Sequence, residues 1–101
     1  MGNIYITEYS RVGTVDHGGG IQAGMEPPLA DQVVNYSATS TDSSNFNQDT
    51  RVIRVHTDAV CHVDIGSAPN ATTTKRRMAA DQTEFFSIPN NSTFKLAAID
   101  G

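Results

Sequence analysis

At 101 residues the chain is sized for one domain with one modest core. Its hydrophobic share of 38% lies below the ordinary value of about 45–50% counted with glycine, so that core is expected to be thin. A formal net charge of −4 argues against nucleic-acid binding, which calls for a basic face. The single cysteine, Cys61, excludes an internal disulfide.

No apolar run approaches the roughly 20 residues that cross a membrane as a helix. The opening Met1-Gly-Asn-Ile-Tyr-Ile6 has neither a basic region nor a long apolar one, so no signal peptide is expected. Ile6 stands where myristoylation requires Ser or Thr. Asn35, Asn70, Asn90 and Asn91 match the N-glycosylation pattern. They read as accidents of a chain rich in Ser, Thr and Asn.

Asn3–Tyr9 alternates with period two and predicts a strand. Ile4 and Ile6 fall on one face, Tyr5, Thr7 and Tyr9 on the other. Both faces therefore carry apolar or aromatic surface open to cover.

Residues 11–31 break the pattern. Gly13, Gly18-Gly-Gly20 and Gly24 make the backbone permissive, and Pro27-Pro28 favours extended geometry. Little regular structure is expected there, and so long an open loop is unusual in a compact domain. The segment reads either as a floppy surface loop or as an arm that orders against another molecule. Met25, Pro27, Pro28 and Leu29 would anchor such an arm.

Gln32–Ala38 predicts a second strand, with Val34, Tyr36 and Ala38 on one face. Thr39–Asp49 is almost wholly polar. Its lone aromatic, Phe46, predicts a pin between loop and core. Val52–His56 and Ala59–Ile65 read as the central strand pair, a hairpin turned at Thr57-Asp58. Ile53, Val55, Cys61, Val63 and Ile65 would line its apolar side, with Arg54, His56, His62 and Asp64 on the wet side. Gly66–Thr74 is a loop with its turn at Pro69-Asn70. Met78–Ile88 continues the sheet with a break near Ala80-Asp81. Pro89–Thr93 reads as a hairpin connection into a last strand whose Phe94, Leu96 and Ala98 face inward.

No stretch carries a sustained helical stripe, and roughly six strands separated by turns remain. The expected fold is all-β, a single domain over 1–101. It would be an antiparallel β-sandwich or jelly-roll-like barrel, with 11–31 as an extended glycine-rich arm or long loop.

Chemistry-bearing residues are sparse. His56-Thr-Asp58 and His62-Val-Asp64 would approach each other in a hairpin and could then hold a transition metal, but their spacing is equally that of ordinary surface residues. Ser10 and Cys61 are the plausible nucleophiles, without a spacing that supports either. Asp16-His17 before the glycines suits a mobile catalytic loop or a plain hinge. Gly18-Gly-Gly-Ile-Gln22 lacks the lysine and glycine spacing of a phosphate loop. Lys75-Arg-Arg77 is a solvated loop or a contact for an acidic partner. Tyr5, Tyr9 and Tyr36 suit stacking on sugar rings, or burial in a core or interface. No catalytic residues, metal or cofactor are expected.

Several blocks resemble a known group. Phe46-Asn-Gln-Asp-Thr-Arg-Val-Ile-Arg-Val-His-Thr-Asp-Ala-Val-Cys-His-Val-Asp-Ile-Gly66, Met78-Ala-Ala-Asp-Gln-Thr-Glu-Phe-Phe-Ser-Ile-Pro89 and Lys95-Leu-Ala-Ala-Ile99 resemble small virion proteins of tailed bacteriophages. Asn3-Ile-Tyr-Ile-Thr-Glu-Tyr9 and Glu26-Pro-Pro-Leu-Ala30 fit the same picture. Within that group the chain is most similar to the head-stabilising, or cement, proteins of short-tailed phages.

The resemblance implies a non-enzymatic β protein made in the host bacterial cytoplasm and carried on the capsid exterior. Its partner would be the major capsid protein, and it would assemble as a homo-oligomer, a dimer or trimer. Nucleic acid and membrane are not expected partners. Tyr5, Tyr9, Met25, Pro27, Pro28 and Leu29 are the residues expected to contact a partner. The alternatives are a tail or head–tail connector component, or a carbohydrate-binding β-sandwich module on the virion.

Overall fold

The computed structural model describes residues 2–14, 20–24, 26–89 and 93–101, and over 12–14 and 20–24 it describes the backbone alone. Among the described residues ten strands and no helix make up the fold. They are β1 (Gly2–Tyr9), β2 (Val12–Thr14), β3 (Gly20–Gly24), β4 (Ala30–Tyr36), β5 (Thr41–Asp42), β6 (Val52–Thr57), β7 (Cys61–Gly66), β8 (Arg76–Met78), β9 (Thr83–Ser87) and β10 (Lys95–Asp100). Two four-stranded sheets, ordered β4-β1-β6-β9 and β5-β10-β7-β8, stack on each other, and β2-β3 forms a separate two-stranded ribbon. Every pairing is antiparallel.

Period-two alternation builds the core. From the first sheet Ile4, Ile6, Val34, Tyr36, Ile53 and Val55 turn inward; from the second come Cys61, Val63, Met78, Leu96 and Ala98. Full burial of side chains such as Ile53 or Leu96 contributes roughly 1.5–3 kcal/mol each. Phe46 does pin its loop, for its ring is buried in the core and its N–H donates to the Phe94 carbonyl at 2.8 Å. β4 begins and ends earlier than the sequence suggests. Ala38 lies beyond the strand and is exposed.

Two expected hairpins are in fact crossings between sheets. β6 pairs with β1 and β9, whereas β7 pairs with β10 and β8. The apolar faces of β6 and β7 therefore oppose each other across the core. Thr57 makes the crossing possible: it is fully buried, yet its hydroxyl donates to the Ala59 carbonyl at 2.6 Å and meets the Tyr36 hydroxyl at 3.0 Å. The Thr57 hydroxyl is thus buried with its hydrogen bonds made. Likewise β9 and β10 lie in different sheets, so the 89–93 connection crosses rather than turns back; residues 90–92 lie outside the described residues.

The break near Ala80-Asp81 is present. Asp81 takes a left-handed φ of 61°, and the chain passes there from β8 in one sheet to β9 in the other. The glycine-rich segment also differs from expectation. Val12 pairs with Gly24 and Thr14 with Gly20, across an irregular register. Backbone pairing of this kind asks nothing of side chains, so glycine does not prevent it.

Both ends of the described chain abut the β6–β7 crossing. Asn3 N donates to Asp58 Oδ1 at 2.8 Å, and Gly101 N donates to the Val60 carbonyl at 3.1 Å.

Candidate binding surface

The outward residues of the first sheet form rungs across its strands. One rung is Val33, Tyr5, His56 and Thr83; the next is Asp31, Thr7, Arg54 and Phe85. Tyr5 is 41% exposed and Val33 57%, and their rings and methyls sit side by side on β1 and β4. Tyr5 also leans on His56, with ring centroids 6.4 Å apart. Leu29, 39% exposed, stands just before β4, beyond the rung of Asp31 and Thr7, its N–H donating to the Glu8 carbonyl at 2.7 Å. These three are the exposed large hydrophobic residues among those described.

Of the six residues expected to meet a partner, Tyr5, Pro27 and Leu29 are exposed and Pro28 is half-buried. Tyr9 is placed differently. It is buried, and its hydroxyl donates to Glu26 Oε2 at 2.9 Å, so it fastens the 26–29 segment to the sheet. Burial, then the hydrogen bond and negative charge of Glu26, push its pKa up and keep it a donor at neutral pH. Met25 lies outside the described residues, as do Asp16, His17, Gly18 and Gly19.

The candidate metal pairs are not brought together. With β6 and β7 in different sheets, His56 lies on the outer face of one layer and His62 on the outer face of the other. His56 Nδ1 is 2.8 Å from the Thr83 hydroxyl. No group of three or more His, Cys, Asp or Glu residues with ligand geometry occurs among the described residues.

Cys61 is sealed in the core, 3.6 Å from the Thr57 hydroxyl, and desolvation raises its thiol pKa. A buried, protonated thiol is a poor nucleophile. Ser10 is exposed, and neither His56 nor His62 bonds to it. The sugar-stacking tyrosines reduce to one. Tyr36 is fully buried, donates to the Ala59 carbonyl at 2.9 Å and has its pKa raised by burial, while Tyr9 is occupied as described.

A buried carboxylate escaped notice in the sequence. Glu8, only 2% exposed, accepts from Asn47 N at 2.7 Å, from the Thr50 hydroxyl at 2.8 Å and from Gln32 Nε2 at 3.3 Å. Gln32 in turn accepts from Ser44 N at 2.9 Å. This network ties the polar 43–50 loop to β1 and β4. The signal was present: Glu8 shares the alternation phase of Ile4 and Ile6.

Compared with protein-family models, curated proteins and solved structures, the chain matches none of them.

Proposed function

We propose that the chain is a structural protein of a bacteriophage virion that binds the outer capsid surface and stabilises contacts between major capsid subunits. The observation that carries this reading is the conjunction of the β2-β3 ribbon, separate from both four-stranded sheets, with the exposed apolar residues Tyr5, Val33 and Leu29 on and beside the first sheet. A sandwich with an extra ribbon and exposed apolar side chains on one face suits gripping a protein surface better than enclosing a substrate.

Strand order adds support by fold analogy. With β2 and β3 set aside and the strands numbered from β4, β1 counted last as in a circular permutation, they run 1-8-3-6 in one sheet and 2-7-4-5 in the other. That permuted order resembles a jelly roll, an architecture frequent in capsid and lectin domains. The burial of Tyr9 and Tyr36 favours the capsid over the sugar. The described residues also give neither Cys61 nor Ser10 a catalytic partner. The molecule measures 45 × 26 × 22 Å, long enough to lie across a boundary between subunits. Many copies, each burying roughly 800 Å² per partner, would hold a shell through summed contacts.

The test is made on purified particles of the phage that carries the gene. On the order of hundreds of copies per particle are expected, as for a coat repeated over a symmetric shell, and heads stripped of the protein should rupture at a lower temperature. About a dozen copies or fewer would move the chain to a tail or connector. Absence from the particle, with unchanged rupture, would end the reading.

A further inference from the structure

Three hydrophobic residues pack against the core without being fully enclosed by it: Ile65, Phe86 and Phe94. All three line one cavity of about 500 Å³. The edge of the core is therefore open at this cavity. It lies on the flank where β8 ends one sheet and β9 ends the other, so strand edges that no described strand pairs with frame it.

The same cavity is lined by Lys75 and Arg76. Arg76 lies over the Phe86 ring, its guanidinium carbon 4.8 Å from the centroid, and no salt bridge among the described residues holds it. In a chain of net charge −4, three of the seven Lys and Arg residues stand in the tripeptide Lys75-Arg-Arg77. The one carboxylate in the lining, Asp64, accepts from Asn70 N at 3.1 Å. Apolar floor, cationic rim and free edges thus occur together.

We infer that this cleft docks an extended acidic segment of another polypeptide, an apolar side chain seated against Phe86 and Phe94 and flanking carboxylates paired with Lys75 and Arg76. An extended chain is the form that free strand edges accept, with side-chain pockets supplying the choice. Charge complementarity fixes the sign of the partner. The inference concerns another surface than the Tyr5 row and does not need the partner to be a capsid protein. Loss of either reading leaves the other standing.

Alternation along β8 supplies an internal control. Arg76 pairs across from Val63 and shares its inward side, whereas Arg77 pairs with His62 and faces outward. Non-specific attraction for acids would use both arginines; the cleft uses one.

The full chain, isotopically labelled, is titrated by NMR with the capped pentapeptide Asp-Glu-Phe-Glu-Asp and with the same peptide carrying Ala for Phe. Saturable shifts are expected at Ile65, Arg76, Phe86 and Phe94, with the alanine peptide weaker by about tenfold, 1.4 kcal/mol. The double variant Lys75→Ala/Arg76→Ala should lose about tenfold in affinity, while Arg77→Ala stays within about twofold. Lys75 and Arg76 are exposed, so the melting temperature should hold. Equal binding of both peptides, equal losses in Arg77→Ala and the double variant, or no saturation would each overturn the inference. So would self-association of the double variant with peptide binding intact, since the cations would then be guards of the strand edge.

Discussion

Thr50 donates its hydroxyl hydrogen to Glu8 Oε1 at 2.8 Å, and neither residue reaches solvent. The pair joins a polar loop to a strand of the sandwich through a buried carboxylate that no lysine or arginine pairs with among the described residues. Hydrogen bonds to a charged acceptor are worth more than neutral ones, and their loss leaves donors buried and unpaired. Glu8→Ala should therefore lower stability by about 3 kcal/mol, roughly 12–24 °C in Tm for a domain of this size. Glu8→Gln keeps a carbonyl acceptor and should cost about 1 kcal/mol. Thermal unfolding measures both. Amide exchange at Ser44 and Asn47 should quicken in the alanine variant first, because those N–H groups hang on this network.

Alkaline pH should unfold the protein by way of its interior. Burial raises the thiol pKa of Cys61 above its ordinary 9.0 and the phenol pKa of Tyr36 above its ordinary 10.0. The folded state thus holds these protons more tightly than the unfolded chain. Stability is full below pH 9.0 and declines as pH rises through the folded values, first from Cys61 and then from the tyrosines. Urea midpoints between pH 7 and 11 should trace this decline. Cys61→Ala should be less stable at pH 7 from lost packing, yet hold its midpoint flat to about one pH unit higher. An unchanged onset would mean that the thiol does not drive the early loss.

Much of this fold is legible one residue at a time and illegible in pairs. The inward positions Ile4, Ile6, Val34, Ile53, Val55, Val63 and Leu96 follow from alternation, since period two fixes a residue's face whatever its partner strand. Alternation carries no record of which strand lies alongside. Ile53-Arg-Val55 and Cys61-His-Val63 have the same pattern whether they pair in one sheet or face each other across two. What distinguishes the cases is the turn. Thr57-Asp-Ala-Val60 has no glycine or asparagine, so it lacks the strongest signal of a tight hairpin, yet Asp58 left the hairpin reading open. The open cleft was beyond sequence reading, because it depends on Ile65, Phe86 and Phe94 meeting from three strands or their flanks. Lys75-Arg-Arg77 was visible as a cluster, but its division between an inward and an outward face needed β8 to be placed.

The capsid proposal singles out the outer row of the first sheet. Tyr5, Leu29 and Val33 are exposed, so Tyr5→Ser, Leu29→Ser and Val33→Thr should each change stability by less than about 1 kcal/mol. Together they should weaken sedimentation with purified heads by at least about tenfold, since central apolar contacts dominate such interfaces. Binding that survives the triple change would move the interface away from this face.

Asp81 offers a test of how the chain crosses from β8 to β9. Its φ of 61° lies in the left-handed region, where a Cβ is crowded and glycine is not. Its carboxylate is 82% exposed and stands 4.0 Å from His56 Nε2, a separation at which a surface pair contributes little. Relief of the backbone should therefore outweigh loss of the pair, and Asp81→Gly should be neutral or stabilising by up to about 1 kcal/mol, offset by the extra freedom glycine gives the unfolded chain. Asp81→Val should lose about 1–2 kcal/mol, because a β-branched side chain tolerates this conformation least. Because both strands flanking Asp81 end their sheets, a relaxed turn there should leave the rest of the sandwich undisturbed, and amide shifts beyond 78–84 should stay in place for the glycine variant. A glycine variant less stable than the parent would show that the Asp81 side chain, rather than its backbone, governs the crossing.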